Sequence, residues 1–500
     1  MGYLKKAMRG SFAILFFTVV SAFLGFLLRT LFARYLSIND FGLFYAVFSF
    51  INFFIIFRQL GLNASLTRFI PHFLVKKDLK SIKSGFLFSV VLQFSVAVLI
   101  AIALIIFSSQ ISDFYFKTSS AKIILVLLSL SFCLTTIIYI IRAVFLGFQN
   151  FKLYASVDFF MTAVVLIFSF ILFNLGFGVL GAATAYLVMP ILTILFYFFL
   201  LIFKAFPKFL KTKFDISFRF NNYLLFFSLP ILLGTAGNLL LDNLGTIMIT
   251  YFDTLKQVGL YNVAMPTAKL IYPFAIAATG ILLPMSSELW AKGFKEHLSR
   301  GVRLIYKYLF IMLVPIFSGI AIFSSLIINT LFGADYAAAS NILKILSASL
   351  IFLIFWSINN SIFIGTSKPK MSAILMGIGL PIFVVLNFLL IPSYGALGAA
   401  YAHLTAYFVM FFVGLVYMAH IKIFKFPLAD WTKTLISLVF FVIIAIYLKN
   451  IFLDSILSAI IICSIALLPF ILLLFMFRVV SINEFKSFVG ILKQKFVTFK

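Results

Sequence analysis

Runs of about 20 apolar residues follow one another along the chain, each long enough to cross a hydrocarbon core of roughly 30 Å as a helix. Nothing else constrains the fold so strongly. The pattern predicts an all-α integral membrane protein of about 14 transmembrane helices. The spans read near 11–35, 42–70, 84–107, 122–147, 154–174, 179–203, 223–252, 258–284, 304–332, 341–365, 371–391, 395–420, 432–450 and 455–478. Composition agrees: 64% of the residues are apolar and 10% charged, whereas soluble domains are about 45–50% apolar and about a quarter charged. The first ten residues, MGYLKKAMRG, look like the basic start of a signal peptide. The apolar run behind them is too long for one and many spans follow, so the first span is expected to be retained.

A formal net charge of +26 could suggest nucleic acid, but its placement argues for topology. With the N-terminus in the cytoplasm, every second connection is basic: KKDLKSIK at 76–83, KAFPKFLKTKFDISFR at 204–219 and KGFKEHLSRGVR at 292–303. The alternate connections (SIND at 37–40, NLGFG at 174–178, PSYG at 392–395) are short and nearly neutral. This is the positive-inside pattern, and the surplus charge also attracts anionic lipid headgroups. In residues 483–500, Phe485, Phe488, Leu492 and Phe496 share one helical side among lysines, predicting a tail that lies on the inner surface. A multi-pass plasma (cytoplasmic) membrane protein with both termini cytoplasmic is expected. Membrane lipids are its surroundings and nucleic acid is not a partner.

Cys133 and Cys463 lie far apart within apolar spans, and the four histidines are scattered singly. No metal site, disulfide framework or bound cofactor is expected. No connection is long enough for a soluble catalytic domain. The longest outer one, SSQISDFYFKTSSAK at 108–122, has Asp113 as its single acid, which disfavours a membrane glycan polymerase or ligase. The protein is not expected to be an enzyme.

Shifting the chain against itself by 217 residues brings GLFYAV at 42–47 onto GLYNVA at 259–264, and GVLGAATAY at 178–186 onto GALGAAYAH at 395–403. With one residue of slippage, AVFLGFQNFK at 143–152 meets SIFIGTSKPK at 361–370. Such a repeat predicts two pseudo-symmetric six-helix lobes in the same orientation. The N-terminal lobe would occupy 1–203 (spans 1–6), a basic cytoplasmic linker 204–222, and the C-terminal lobe 223–420 (spans 7–12). Two extra helices (spans 13 and 14) would occupy 421–478, and a basic amphipathic cytoplasmic tail 479–500.

Charges inside the spans point to a shared interior. In span 1, Thr18, Ser21, Gly25 and Arg29 are spaced as one helical stripe, and the repeat carries it to Thr235, Asn238, Asp242 and Thr246 in span 7. Span 2 has a second stripe, Ser49, Asn52, Gln59 and Asn63, and Asn52 maps to Lys269 in span 8. Arg58 sits about 100° round from Gln59. Facing lipid, Arg29, Arg58 and Lys269 would each cost roughly 2.5–3.5 kcal/mol. Asp242 is the acid available inside a span and can neutralise one of them at most. A wet cavity with surplus positive charge is therefore expected, and it suits an anion such as phosphate. The candidate substrate-binding residues are Arg29, Arg58, Lys269, Asn52, Gln59 and Asn238. Arg29 could instead snorkel to the outer surface. Asp242 is either the partner of Lys269 or a site for a coupling ion, H⁺ or Na⁺. Arg142 and Asp158 are expected to be interface anchors that pair with each other.

The segment RYLSINDFGLFYAVFSFINFFIIFRQLGLNASLTRFIP at 34–71 resembles the first hairpin of polysaccharide flippases in the multidrug/oligosaccharidyl-lipid/polysaccharide exporter superfamily. Arg34, Tyr35, Leu36, Asp40, Phe41, Gly42, Leu43, Gly61, Leu62, Arg68 and Pro71 carry the likeness. The resemblance implies a V-shaped, two-lobe transporter that moves polyprenyl-(pyro)phosphate-linked oligosaccharide or polysaccharide repeat units from the inner to the outer leaflet by rocking its lobes. Its partners would be the lipid-linked anionic glycan and glycan polymerase or ligase machinery. A multidrug or small-solute exporter of the same superfamily is the alternative, but exporters of cations need acidic cavities.

Overall fold

The computed structural model describes residues 2–213, 237, 239–423, 426–452 and 455–480. Asn238, the region 214–236 and the expected surface tail at 483–500 lie outside them. Helices make up 89% of the described residues, and there is no strand among them. Among the described residues, twelve helical stretches are long and apolar enough to span a membrane, counting Ile38–Gln59 across its break at Phe54. The other two expected spans, 223–252 and 258–284, differ for separate reasons. The described part of the first is the shorter helix Leu239–Phe252, and the second is broken in mid-span.

The chain divides into two compact units, residues 1–273 with 376–402, and residues 274–375 with 403–500. In the first unit the helices are α1 (Gly2–Tyr35), α2 (Ile38–Phe53), α3 (Ile55–Gln59), α4 (Leu62–Val75), α5 (Leu79–Ile106), α6 (Ser108–Ile111), α7 (Ala121–Gly147), α8 (Phe151–Asn174), α9 (Gly178–Leu200), α10 (Leu239–Phe252) and α11 (Leu255–Ala268). Short polar residues start them. Ser37 Oγ accepts the Asp40 amide at 3.1 Å to begin α2, and Asp78 Oδ1 accepts the Ser81 amide at 3.0 Å to begin α5. Helix α7 is the central post, packed against α2, α4, α5 and α9, while α1 lies along α8. Phe12, Phe16 and Phe23 of α1 are exposed, as suits the side of a span that meets acyl chains.

Span 2 is not one helix. It breaks at Phe54 and again at Leu60 and Gly61, whose φ angles of 48° and 69° are left-handed. Glycine takes that conformation freely; leucine does so at a cost of about 1–2 kcal/mol. Span 8 breaks at the corresponding repeat position: α11 ends at Ala268 and a tight turn, Lys269–Ile271, leads into α12 (Tyr272–Ala291). Irregular backbone at membrane depth is tolerated where protein or a wet cavity surrounds it. The two breaks carry Arg58 and Lys269.

Helices α2 and α11 cross at Gly42 and Gly259. A Cβ on Gly42 would overlap the carbonyl oxygen of Leu255, and one on Gly259 would lie 2.7 Å from the carbonyl oxygen of Ile38. Ile38 and Leu255 are themselves 217 residues apart, so each half of the crossing repeats the other. Gly178 and Gly395, also repeat partners, both have positive φ, 50° and 55°.

The second unit contains most of α12, then α13 (Lys295–Ile322), α14 (Ser324–Phe332), α15 (Ala339–Gly365), α18 (Leu428–Phe452) and α19 (Ile456–Met476). Helices α16 (Pro369–Tyr394) and α17 (Ala396–His420) run through the division between units. The α18–α19 pair closes on Phe441, Ala445, Ala466 and Phe470. Beside it, Trp431 stacks on Phe310 at 4.4 Å. The Tyr306 hydroxyl donates to Asn359 Oδ1, and Asn359 Nδ2 to the Phe411 carbonyl at 3.3 Å.

Candidate functional site

All the sequence-selected site residues that the structure describes belong to the first unit. Arg58 is the most buried of the cations, 1% exposed. The two breaks leave it on the short helix α3, from which its side chain enters the core against α7. Nη1 donates to the Phe132 carbonyl at 2.5 Å and to Thr135 Oγ1 at 2.9 Å. The guanidinium carbon lies 4.4 Å from the Phe132 ring centre and 5.5 Å from that of Tyr139, a cation–π arrangement that recovers part of the lost hydration. Nε has no acceptor, and none of the ion pairs among the described residues involves Arg58.

Beside Arg58 is a cavity of about 110 Å³. Asn52, Ser131, Thr135, Tyr139 and Tyr186 line it together with Phe48, Met161 and Met189, and its wall is mostly apolar. A space of this size is below the roughly 300–1,000 Å³ that takes a drug-sized ligand.

Arg29 does not point into bulk lipid. Its Nη1 donates to the Asn262 carbonyl at 2.8 Å, and its guanidinium lies 4.3 Å from the centre of the Tyr45 ring. Asn262 Nδ2 in turn donates to Thr246 Oγ1 at 3.2 Å. Lys269 Nζ lies 2.6 Å from Asp242 Oδ1, so the structure brings together the pairing that was one of the two expectations for Asp242. Lys269 is the neutralised cation; Arg29 and Arg58 have no carboxylate partner among the described residues. Among the described residues, the three cations share no hydrogen-bond partner. Asn52 lines the Arg58 cavity, Gln59 is half-buried next to Arg58, and Asn238 lies outside the described residues. Arg142 and Asp158 form the expected pair at 2.6 Å, with the guanidinium 4.5 Å from the centre of the Tyr154 ring.

Sequence reasoning missed Tyr45 and Asn262, and it missed the α7 residues Thr135 and Tyr139. The first two had a readable signal: they are repeat partners, as Arg29 and Thr246 are. The α7 residues had none, because contact between spans 2 and 4 leaves no periodic trace in either. Chemically, the site offers two unneutralised guanidiniums, hydroxyl and amide donors beside them, and one carboxylate already tied to an amine.

The sequence profile of the family described as "Polysaccharide biosynthesis protein" matches residues 7–290. An uncharacterized membrane protein of Methanocaldococcus jannaschii, MJ1068, is 32% identical over 508 residues, covering 98% of this chain and 99% of the relative. The probable low-salt glycan biosynthesis flippase Agl15 of Haloferax volcanii is 25% identical over 186 residues, 37% of this chain and 39% of that protein. Among solved structures, the lipid II flippase MurJ in an inward closed conformation superposes with a TM-score of 0.73 at 19% identity, covering 94% of this chain and 99% of that one. That likeness is one of fold.

Proposed function

The chain belongs to the polysaccharide biosynthesis protein family, within the multidrug/oligosaccharidyl-lipid/polysaccharide exporter superfamily, and from that premise we propose that it carries a polyprenyl-(pyro)phosphate-linked glycan from the inner to the outer leaflet. Flippases and transporters, not enzymes, make up its family and structural neighbours. It is a multi-pass membrane protein. Localisation in the plasma membrane with both termini inside is part of the proposal and follows from the basic alternate connections.

The observation that carries the reading is Arg58: a guanidinium 1% exposed, beside a small cavity and without a carboxylate partner among the described residues. A charge retained at that cost serves a ligand of opposite sign, and phosphate oxygens match the arginine fork. A cationic drug would find the opposite polarity, since Asp242 is held by Lys269. In the cycle, the anionic head is taken up from the inner side with its lipid tail left in the bilayer, rocking exposes it outward, and a coupling ion or the membrane potential resets the carrier. An inside-negative potential helps to expel an anion by about 2.3 kcal/mol per charge per 100 mV.

The test is deletion of the gene followed by leaflet-selective labelling of lipid-linked glycan. Accumulation on the inner leaflet is expected, and an unchanged distribution between leaflets rejects the reading. Asp242 supplies a second test. If it couples an ion as well as pairing with Lys269, Asp242→Asn abolishes the sodium or pH dependence of translocation. Unchanged dependence, with activity restored by adding Lys269→Met, makes the pair a structural one.

A further inference from the structure

The α2–α11 crossing raises a question of its own: what keeps it closed? Gly42 and Gly259 allow the backbones to touch, but they offer no side chain to fasten them. The polar fastening lies beside them. Arg29, on α1, donates to the Asn262 carbonyl on α11 and covers Tyr45 on α2; Asn262 Nδ2 then reaches Thr246 on α10. Four helices meet at four side chains, and the four are two repeat-related pairs, Arg29 with Thr246 and Tyr45 with Asn262. In one half of the repeat the position holds a cation; in the other it holds a neutral hydroxyl.

We propose that Arg29 is a latch that changes partners: it fastens the outer ends of α1 and α2 to α11 through the Asn262 carbonyl until a diphosphate headgroup draws it away. The inference rests on the flippase reading and adds to it a link between headgroup capture and opening. Three observations support it. The acceptor on Asn262 is a single neutral carbonyl, whereas a diphosphate offers several anionic oxygens that a guanidinium fork can meet with two parallel hydrogen bonds. No ion pair among the described residues engages Arg29, so its charge is open to an incoming anion, in contrast to Lys269, which Asp242 holds. Asn262 belongs to a helix that ends six residues later at the Lys269 break, so α11 can hinge once it is released.

Ser49 reports on the latch. It lies on α2 seven residues beyond Gly42, on nearly the same helical face and about 10 Å deeper, and it is 6% exposed. The experiment places Ser49→Cys in a protein carrying Cys133→Ser and Cys463→Ser, in right-side-out membrane vesicles, with a membrane-impermeant maleimide outside. Geranylgeranyl diphosphate is the probe and geranylgeraniol its uncharged control. The diphosphate should speed labelling about tenfold or more, the effect of breaking one hydrogen bond to a charged group, and the alcohol should not. Arg29→Gln keeps a donor for the Asn262 carbonyl but no charge, so acceleration should disappear. If Arg29→Gln is accelerated like its parent, the latch is rejected. Should that variant fail to fold, Arg29→Lys retains the charge and should retain acceleration; its loss there rejects the latch too. Calorimetry on the unsubstituted protein separates the two readings. Binding of the diphosphate without faster labelling overturns the latch alone, while absence of binding overturns anion handling and the latch with it.

Discussion

Arg58→Met should leave the protein folded and bring its transport close to a halt. The side chain lost is buried, and methionine fills a similar volume without a charge. The exchange orphans neither of the groups that Arg58 meets, because the Phe132 carbonyl still accepts from Thr135 Oγ1 at 2.9 Å and Thr136 Oγ1 at 3.2 Å. Replacing buried ionic groups by packed apolar ones is often neutral or stabilising by about 1–4 kcal/mol, so the Tm should hold or rise. Translocation should fall by about 10- to 150-fold, the equivalent of one hydrogen bond from a cation to the headgroup at about 1.5–3 kcal/mol. The divergence of the two readouts is the result that counts. A variant that is both stable and active would show that Arg58 has no role with substrate. One that unfolds would show that its role is to hold α3 against α7.

Gly42→Val should do the reverse and damage the structure first. A Cβ at Gly42 would overlap the Leu255 carbonyl oxygen, and backbone cannot turn aside as a side chain can. Overpacking usually costs about 1–3 kcal/mol, and with backbone as the obstacle the upper end or more is expected. Gly259→Ala should cost less, since its Cβ would stand 2.7 Å from the Ile38 carbonyl oxygen. Gly25→Ala is the control. A Cβ there meets nothing within 4 Å, and the exchange should be neutral or add up to about 1 kcal/mol of helix stability. Thermal melts of the three variants should therefore fall in the order Gly25→Ala, Gly259→Ala, Gly42→Val. A Gly42→Val protein as stable as its parent would mean that the α2–α11 contact is dispensable.

Much of the architecture was readable from span length, because a bilayer leaves so few alternatives. The breaks in span 2 were not. Phe54 and Leu60 carry no helix-breaking chemistry of their own, so span 2 reads as a single helix interrupted in polarity by Arg58 and Gln59. In span 8 the prolines Pro266 and Pro273, on either side of Lys269, signalled a bend, and the turn at Lys269–Ile271 falls between them. For the site, composition exposed the anomaly of Arg58 and Arg29 but not what answers it. A guanidinium met by a carbonyl and an aromatic face, as at Phe132 and at Asn262 with Tyr45, leaves no complementary charge for a reader to find. Where the answer was a charge, as in Asp242 with Lys269 or Arg142 with Asp158, the pairing could be anticipated.

The Gly42–Gly259 crossing also records history. Residue 42 meets 255 and residue 259 meets 38, which is the reciprocal pattern of an isologous interface in a homodimer. Fusion of two copies of a half-length ancestor would turn such a subunit boundary into an intramolecular one and free each copy to diverge. Tyr45 against Asn262, and Arg29 against Thr246, are then the marks of that freedom: a self-complementary seam that has since acquired a charged side and a neutral one.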